Sequence, residues 1–175
     1  MSNVYLVRTN QKINFARIHL DALTVAQNST KWSKHNEIES YNESILFHLA
    51  SAYGSFLREI AEKYSFDASK VGTLFDLEAM FEESGQESPE RNELWSLEQS
   101  EVSWLHKMLA AYAACWKAID NHSARASDTV SISEIHVVQI NPNHAEDSDI
   151  LAEYKQWLNE FRSLVERLRS DMQEW

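Results

Sequence analysis

Apolar residues recur at steps of three and four along most of the chain, the period of an amphipathic helix. From Thr9, read as an N-cap, Ile13, Ala16, Leu20 and Leu23 form one stripe and Phe15, Ile18, Ala22 and Val25 a neighbouring one, which predicts a widely buried helix ending near residues 28–30. A longer helix is predicted over about residues 34–64, with Leu46, Leu49, Tyr53, Phe56, Ile60 and Tyr64 as its packing seam. Gly54 inside it points to a close helix approach or a slight bend. Val71, Leu74, Leu77 and Phe81 predict a short helix that Gly85 closes as a left-handed cap. Ser88-Pro89-Glu90 then reads as an N-cap, a proline at the first helical position and an acid against the positive helix end.

After a break near Ser100, Val102, Leu105, Leu109, Tyr112, Trp116 and Ile119 form one seam, and Trp104, Met108, Ala111, Cys115 and Ala118 form a second. Two apolar faces predict the central helix of a bundle. Residues 123–147 lose the period, and Ile135 to Ile140 read as an extended arm or short strand within a long irregular connection, long enough to run the length of a bundle and join two otherwise parallel helices. The last helix opens at Ser148-Asp149 and carries Leu151, Tyr154, Leu158, Phe161, Val165, Leu168, Met172 and Trp175 in unbroken three-four alternation. The expectation is all-α: one domain over residues 1–175, an antiparallel, mostly up-and-down bundle of four main helices plus one or two short ones.

Several pieces of this pattern carry a resemblance. Arg8-Thr9-Asn10-Gln11-Lys12 with Phe15-Ala16-Arg17, Leu46-Phe47-His48-Leu49, Ser103-Trp104-Leu105 leading into Leu109-Ala110-Ala111-Tyr112, and the final Glu174-Trp175 resemble a family of short bacterial helical proteins known only as a domain of unknown function. The resemblance implies a bacterial cytosolic helical protein and carries no activity with it.

Composition removes several chemistries. Three glycines cannot assemble a dinucleotide-binding fingerprint or a phosphate-cradling loop. The first residues lack a basic region followed by an apolar one, and the long apolar run that includes Leu109 to Trp116 is far short of the about 20 residues that span a bilayer, so a cytoplasmic protein is expected. The single Cys115 agrees with a reducing compartment. The net charge is −11, and residues 76–101 concentrate it, with nine acids against the lone Arg91. Such a field repels phosphate backbones and anionic lipid, so neither nucleic acid nor membrane is an expected partner.

Candidate chemistry reduces to a few polar positions. No histidine has an acid three residues before it, which removes the di-iron pattern of helical bundles. His48 and His106 each border an apolar stripe. Either the two meet as a metal site or an acid–base pair, or each is a partly buried imidazole bonded to a hydroxyl or carbonyl. Cys115 and His122 share a face, yet seven residues separate them by roughly 10.5 Å along the axis, too far for thiolate activation. Residues 144–149 offer oxygen ligands without the glycine and distal glutamate of a calcium hand, and read as caps of the last helix. Arg8, Asn10, Gln11 and Lys12 form either a polar site at the bundle mouth or local hydrogen-bond partners of the first helix. Trp104, Trp116 and Trp157 fall on or beside seams, whereas Trp32, Trp95 and Trp175 lie near helix ends, where they either cover the bundle or form a self-association patch. No catalytic residue and no cofactor is expected. The reading is a non-enzymatic bundle acting through a protein partner or as a homo-oligomer, with two alternatives: a metal-binding or enzymatic bundle around His48 and His106, or a binder of a small apolar ligand.

Overall fold

The computed structural model describes residues 4–117 and 148–173. Among these the fold is all-α. Three long helices, α1 (Val4–Gln27), α2 (Lys34–Lys63) and α6 (Ser148–Gln173), are joined by three helices of 11 residues, α3 (Leu74–Ser84), α4 (Pro89–Gln99) and α5 (Trp104–Ala114), and by a 3-10 turn at Ala68–Lys70. No helix of the described residues is long and apolar enough to cross a membrane.

Side-chain bonds between helices fix their directions. Tyr64, which caps the end of α2, and Tyr53 within it donate to Glu90 and Glu98 of α4 at 2.8 and 2.7 Å, so α4 runs antiparallel to α2. The Cys115 thiol, just past α5, feels the charges of Glu43 and Glu39 in the first half of α2, so α5 continues the direction of α4. Arg169, near the end of α6, bonds both Glu59 of α2 and Asn10 of α1. Going up α1, down α2, up α4 and α5, and down α6, the chain forms an up-and-down bundle whose third helix is broken at residues 100–103. The break has a local cause. The Ser103 hydroxyl caps α5 by accepting from the His106 N–H at 3.1 Å, while also donating to the Leu97 carbonyl left open by the end of α4.

The other termini follow the same logic. Thr73 and Asp76 form a reciprocal capping box on α3, Gly85 closes α3 at φ 65°, and Ser88 caps α4 ahead of Pro89. Helix α2 ends in a Schellman motif, in which the Phe66 N–H reaches the Ala61 carbonyl at 2.8 Å and Ser65 takes the left-handed position at φ 63°.

One cluster of buried side chains draws on all six helices, with Leu20 and Leu23, Leu49 and Phe56, Leu77, Leu94, Leu105, and Tyr154 and Phe161 among its members. The helix at the centre is α2, which packs against α1, α5, α6, α3 and the 3-10 turn. This corrects the expectation that the helix after Ser100 is central. That helix ends at Ala114, and its apolar positions Val102 and Trp116 are 82% and 75% exposed, so only Leu105, Met108 and Ala111 are fully buried. Its alanine-rich sequence gives two apolar faces, and neighbours cover each only in part, with Trp104, Leu109, Tyr112 and Cys115 packed half-buried against the core.

Two further expectations need revision. Helix α1 begins before Thr9, which is buried inside it with its hydroxyl donating back to the Tyr5 carbonyl at 2.9 Å. Of the two alternatives at Gly54, the close helix approach gives way to a loop: the neighbour is the carbonyl of Gly72, which a Cβ at position 54 would meet at an ordinary 3.8 Å. The expected irregular connection at 123–147, with its segment from Ile135 to Ile140, lies outside the described residues, as do His122, Glu174 and Trp175.

Candidate functional site

A cleft of about 410 Å³ opens where α1, α2 and α5 meet the loop before α3. Helix α1 supplies Tyr5, Arg8 and Lys12, spaced three and four apart and therefore on one face. Helix α2 supplies Ala50, Ser51, Gly54, Ser55 and Arg58 in the same rhythm, and Gly72 and Tyr112 complete the wall. With no side chain at Gly54, this part of the wall stays open.

The electrostatics of this cleft run against those of the chain. It is lined by three cations and no acid, in a protein of net charge −11. Arg58 is held in place: its Nε donates to the Val71 carbonyl at 2.7 Å, and its guanidinium lies 5.6 Å from the centre of the Tyr5 ring. Arg8 donates to the Gln11 amide oxygen, while the Lys12 ammonium rests 5.2 Å from the Phe47 ring centre and 5.8 Å from that of Phe15. No carboxylate of the described residues pairs with any of the three.

The polar cluster read near the start of the chain is thus divided. Arg8 and Lys12 line the cleft, whereas Asn10 accepts from Arg169 at 2.9 Å and Gln11 from Arg8, both in structural roles. Arg58 was not legible as their companion. In the sequence Glu62, one turn further along the helix, is its natural partner, but the side chain leans back over its helix toward Val71 and Tyr5. The spacings 5, 8, 12 and 51, 55, 58 were the available signal, though nothing in them says that the two faces meet.

His48 and His106 make separate contacts. The His48 ring centre lies 4.9 Å from that of His19 and 5.4 Å from those of Phe15 and Phe47. Burial, then His19 and Lys12, depress its affinity for a proton. The Nδ1 atoms of both His19 and His48 are buried without a hydrogen-bond partner. His106 Nδ1 is 2.7 Å from the Glu98 carbonyl oxygen; because a carbonyl only accepts, this nitrogen carries the proton. His106 therefore matches the bonded-imidazole alternative, and the companion of His48 is His19, which lies on a half-buried face of α1 and matches no ligand spacing in the sequence. Among the described residues no group of three or more potential metal ligands occurs.

The remaining nucleophile is disfavoured by its surroundings. Burial, reinforced by Glu43, pushes the Cys115 thiol up to about 11, so it stays protonated at neutral pH. Glu98 is likewise raised by burial, with the Tyr53 hydroxyl bonding it in partial compensation.

The chain belongs to the Family of unknown function (DUF6586), whose model matches residues 1–175. Comparison with curated proteins and with solved structures gives no match.

Proposed function

We propose that this chain is a non-enzymatic, cytosolic helical bundle that works by protein–protein contact, with a second copy of itself or another protein as partner. The observation that carries this reading is the placement of its exposed aromatics. Trp32, in the connection between α1 and α2, is 95% exposed, and Trp116, just past α5, is 75% exposed. Both stand at the end of the bundle where α2 begins and α5 ends, and Val25 adds an exposed apolar side chain in the last turns of α1. Trp116 thus departs from the core role its seam position suggested. Large aromatics left in water are what an interface buries, and tryptophan leads the residues that dominate binding energy. The acidic field of residues 76–101 argues against nucleic acid as the partner.

The test compares the full chain with a Trp32→Ser/Trp116→Ser variant by sedimentation across a concentration series and by cross-linked capture from native lysate. The reading expects self-association or a captured protein that the variant loses. A wild-type chain that is monomeric throughout and captures the same proteins as the variant overturns it. Metal analysis of untagged protein addresses the alternative of a metal-binding or enzymatic bundle around His48 and His106, which needs bound metal lost on His48→Ala. The third possibility, an apolar ligand between helices, fits the cavities less well. The cleft wall is cationic, and a second cavity of about 390 Å³ between α1 and α6 mixes Ile13, Leu158 and Val165 with Arg17, Arg162 and Arg169.

A further inference from the structure

We propose that the cleft between α1, α2 and α5 is a binding site for a small anion bearing a phosphate or carboxylate group, gripped by Arg58 together with Arg8 and Lys12. This rests on the cleft and is independent of the tryptophan-bearing end of the bundle. Three cations lining one concavity without a counter-charge repel each other. Acids outnumber bases 27 to 16 in this chain, yet none of the described carboxylates neutralises them. A bound anion removes that cost.

The geometry of Arg58 agrees with this role. Nε is occupied by the Val71 carbonyl and the guanidinium carbon sits 5.6 Å from the Tyr5 ring centre, which restrains the side chain and leaves the two terminal nitrogens without a partner among the described residues. A planar fork held in place in advance binds two oxygens of a phosphate or carboxylate at little entropic cost. The hydroxyls of Ser51, Ser55 and Tyr112 line the same wall and supply neutral donors. The volume, about 410 Å³, is in the range of small-molecule sites. The surrounding negative charge also selects by size: a small anion enters the local positive potential, whereas a long polyanion meets the repulsion of the whole surface.

The experiment is isothermal titration calorimetry of the full chain at low salt with inorganic phosphate, pyrophosphate and citrate in separate arms. It uses wild type, Arg58→Gln and the double variant Arg8→Gln/Lys12→Gln. The last alters only side chains with no ion pair and guards against a folding defect at Arg58, whose bond to Val71 is structural. The expected result is saturable one-to-one binding of at least one anion, weakened about tenfold or more in both variants while the double variant melts like wild type. Tighter binding in the phosphate arms assigns a phosphate-bearing ligand, and tighter citrate binding a carboxylate. The proposal is overturned by no saturable binding in any arm up to about 10 mM, where even a weak millimolar site would register, or by binding that the double variant leaves unchanged. Either result leaves the reading of the tryptophan-bearing end intact, because neither variant touches Trp32 or Trp116.

Discussion

Replacing Arg169 by leucine tests whether α6 is locked to the rest of the bundle by one buried ion pair. Arg169 Nε and Nη2 both donate to the Glu59 carboxylate, at 2.9 and 2.7 Å, and Nη1 donates to Asn10 at 2.9 Å, so a single side chain ties α6 to α2 and α1. The Glu59 and Arg169 side chains are 7% and 19% exposed. Removing the arginine leaves a mostly buried glutamate carboxylate without its partner, and breaking a buried pair in this way costs about 3 to 5 kcal/mol, with the lower end expected at a pair near the surface. Against a total stability of about 5 to 15 kcal/mol this is a large loss. The pair between Arg167, also on α6, and Glu93 of α4 is 52% and 35% exposed and serves as the internal control, and Arg167→Ala is expected to cost at most about 1 kcal/mol. Replacing both Glu59 and Arg169 by leucine removes the stranded charge and recovers most of the loss. Urea unfolding followed by circular dichroism measures all four proteins. A cost below about 1 kcal/mol for Arg169→Leu, equal to that of Arg167→Ala, refutes the reasoning and makes the pair a solvent-screened surface contact.

Truncation before Leu158 is expected to unfold or aggregate the protein. It deletes Phe161, Leu164, Val165 and Leu168, all buried, at about 1.5 to 3 kcal/mol each; a cooperative melt with unchanged midpoint contradicts this. Ser65→Gly relieves a left-handed residue at φ 63°, a cost of about 1 to 2 kcal/mol, of which glycine's greater unfolded-state freedom returns part. A net gain of about 0.5 to 1 kcal/mol in urea unfolding is expected, and a loss contradicts it. His48 protonates less readily when folded than its usual 6.5, so the unfolded chain takes up the proton first as pH falls below that value, and stability is lost on the acid side. His48→Gln is expected to lose less stability than wild type between about pH 7 and 5, and parallel stability profiles contradict it.

Local punctuation was readable wherever its chemistry is local. Gly85 sits at a left-handed cap and Ser88-Pro89 opens α4, because caps depend on a few neighbouring residues. The seam of α6 was equally plain, since its Tyr154, Leu158, Phe161, Val165 and Leu168 are all buried. Thr9 was misread because a threonine bonded back to the carbonyl four residues earlier has the same sequence signature as one capping the next helix. Val102 and Trp116 extend an apolar period beyond the faces that neighbours cover, and periodicity alone does not count neighbours. For the candidate site, the choice between partnership and solitude depends on which helix faces meet. Arg8 and Lys12 were visible, Arg58 was not, because its spacing does not say which face of α1 it meets, and His48 faces His19 across the α1–α2 contact.

The central claim is that this bundle acts through contact at the end bearing Trp32 and Trp116. The most direct measurement is the indole N–H spectrum of the chain labelled on its tryptophans, recorded across a dilution series and then in unlabelled native lysate. The account predicts that the Trp32 and Trp116 signals shift or broaden together in at least one of the two series while buried Trp157 holds its position. Signals of Trp32 and Trp116 that stay fixed in both would contradict it.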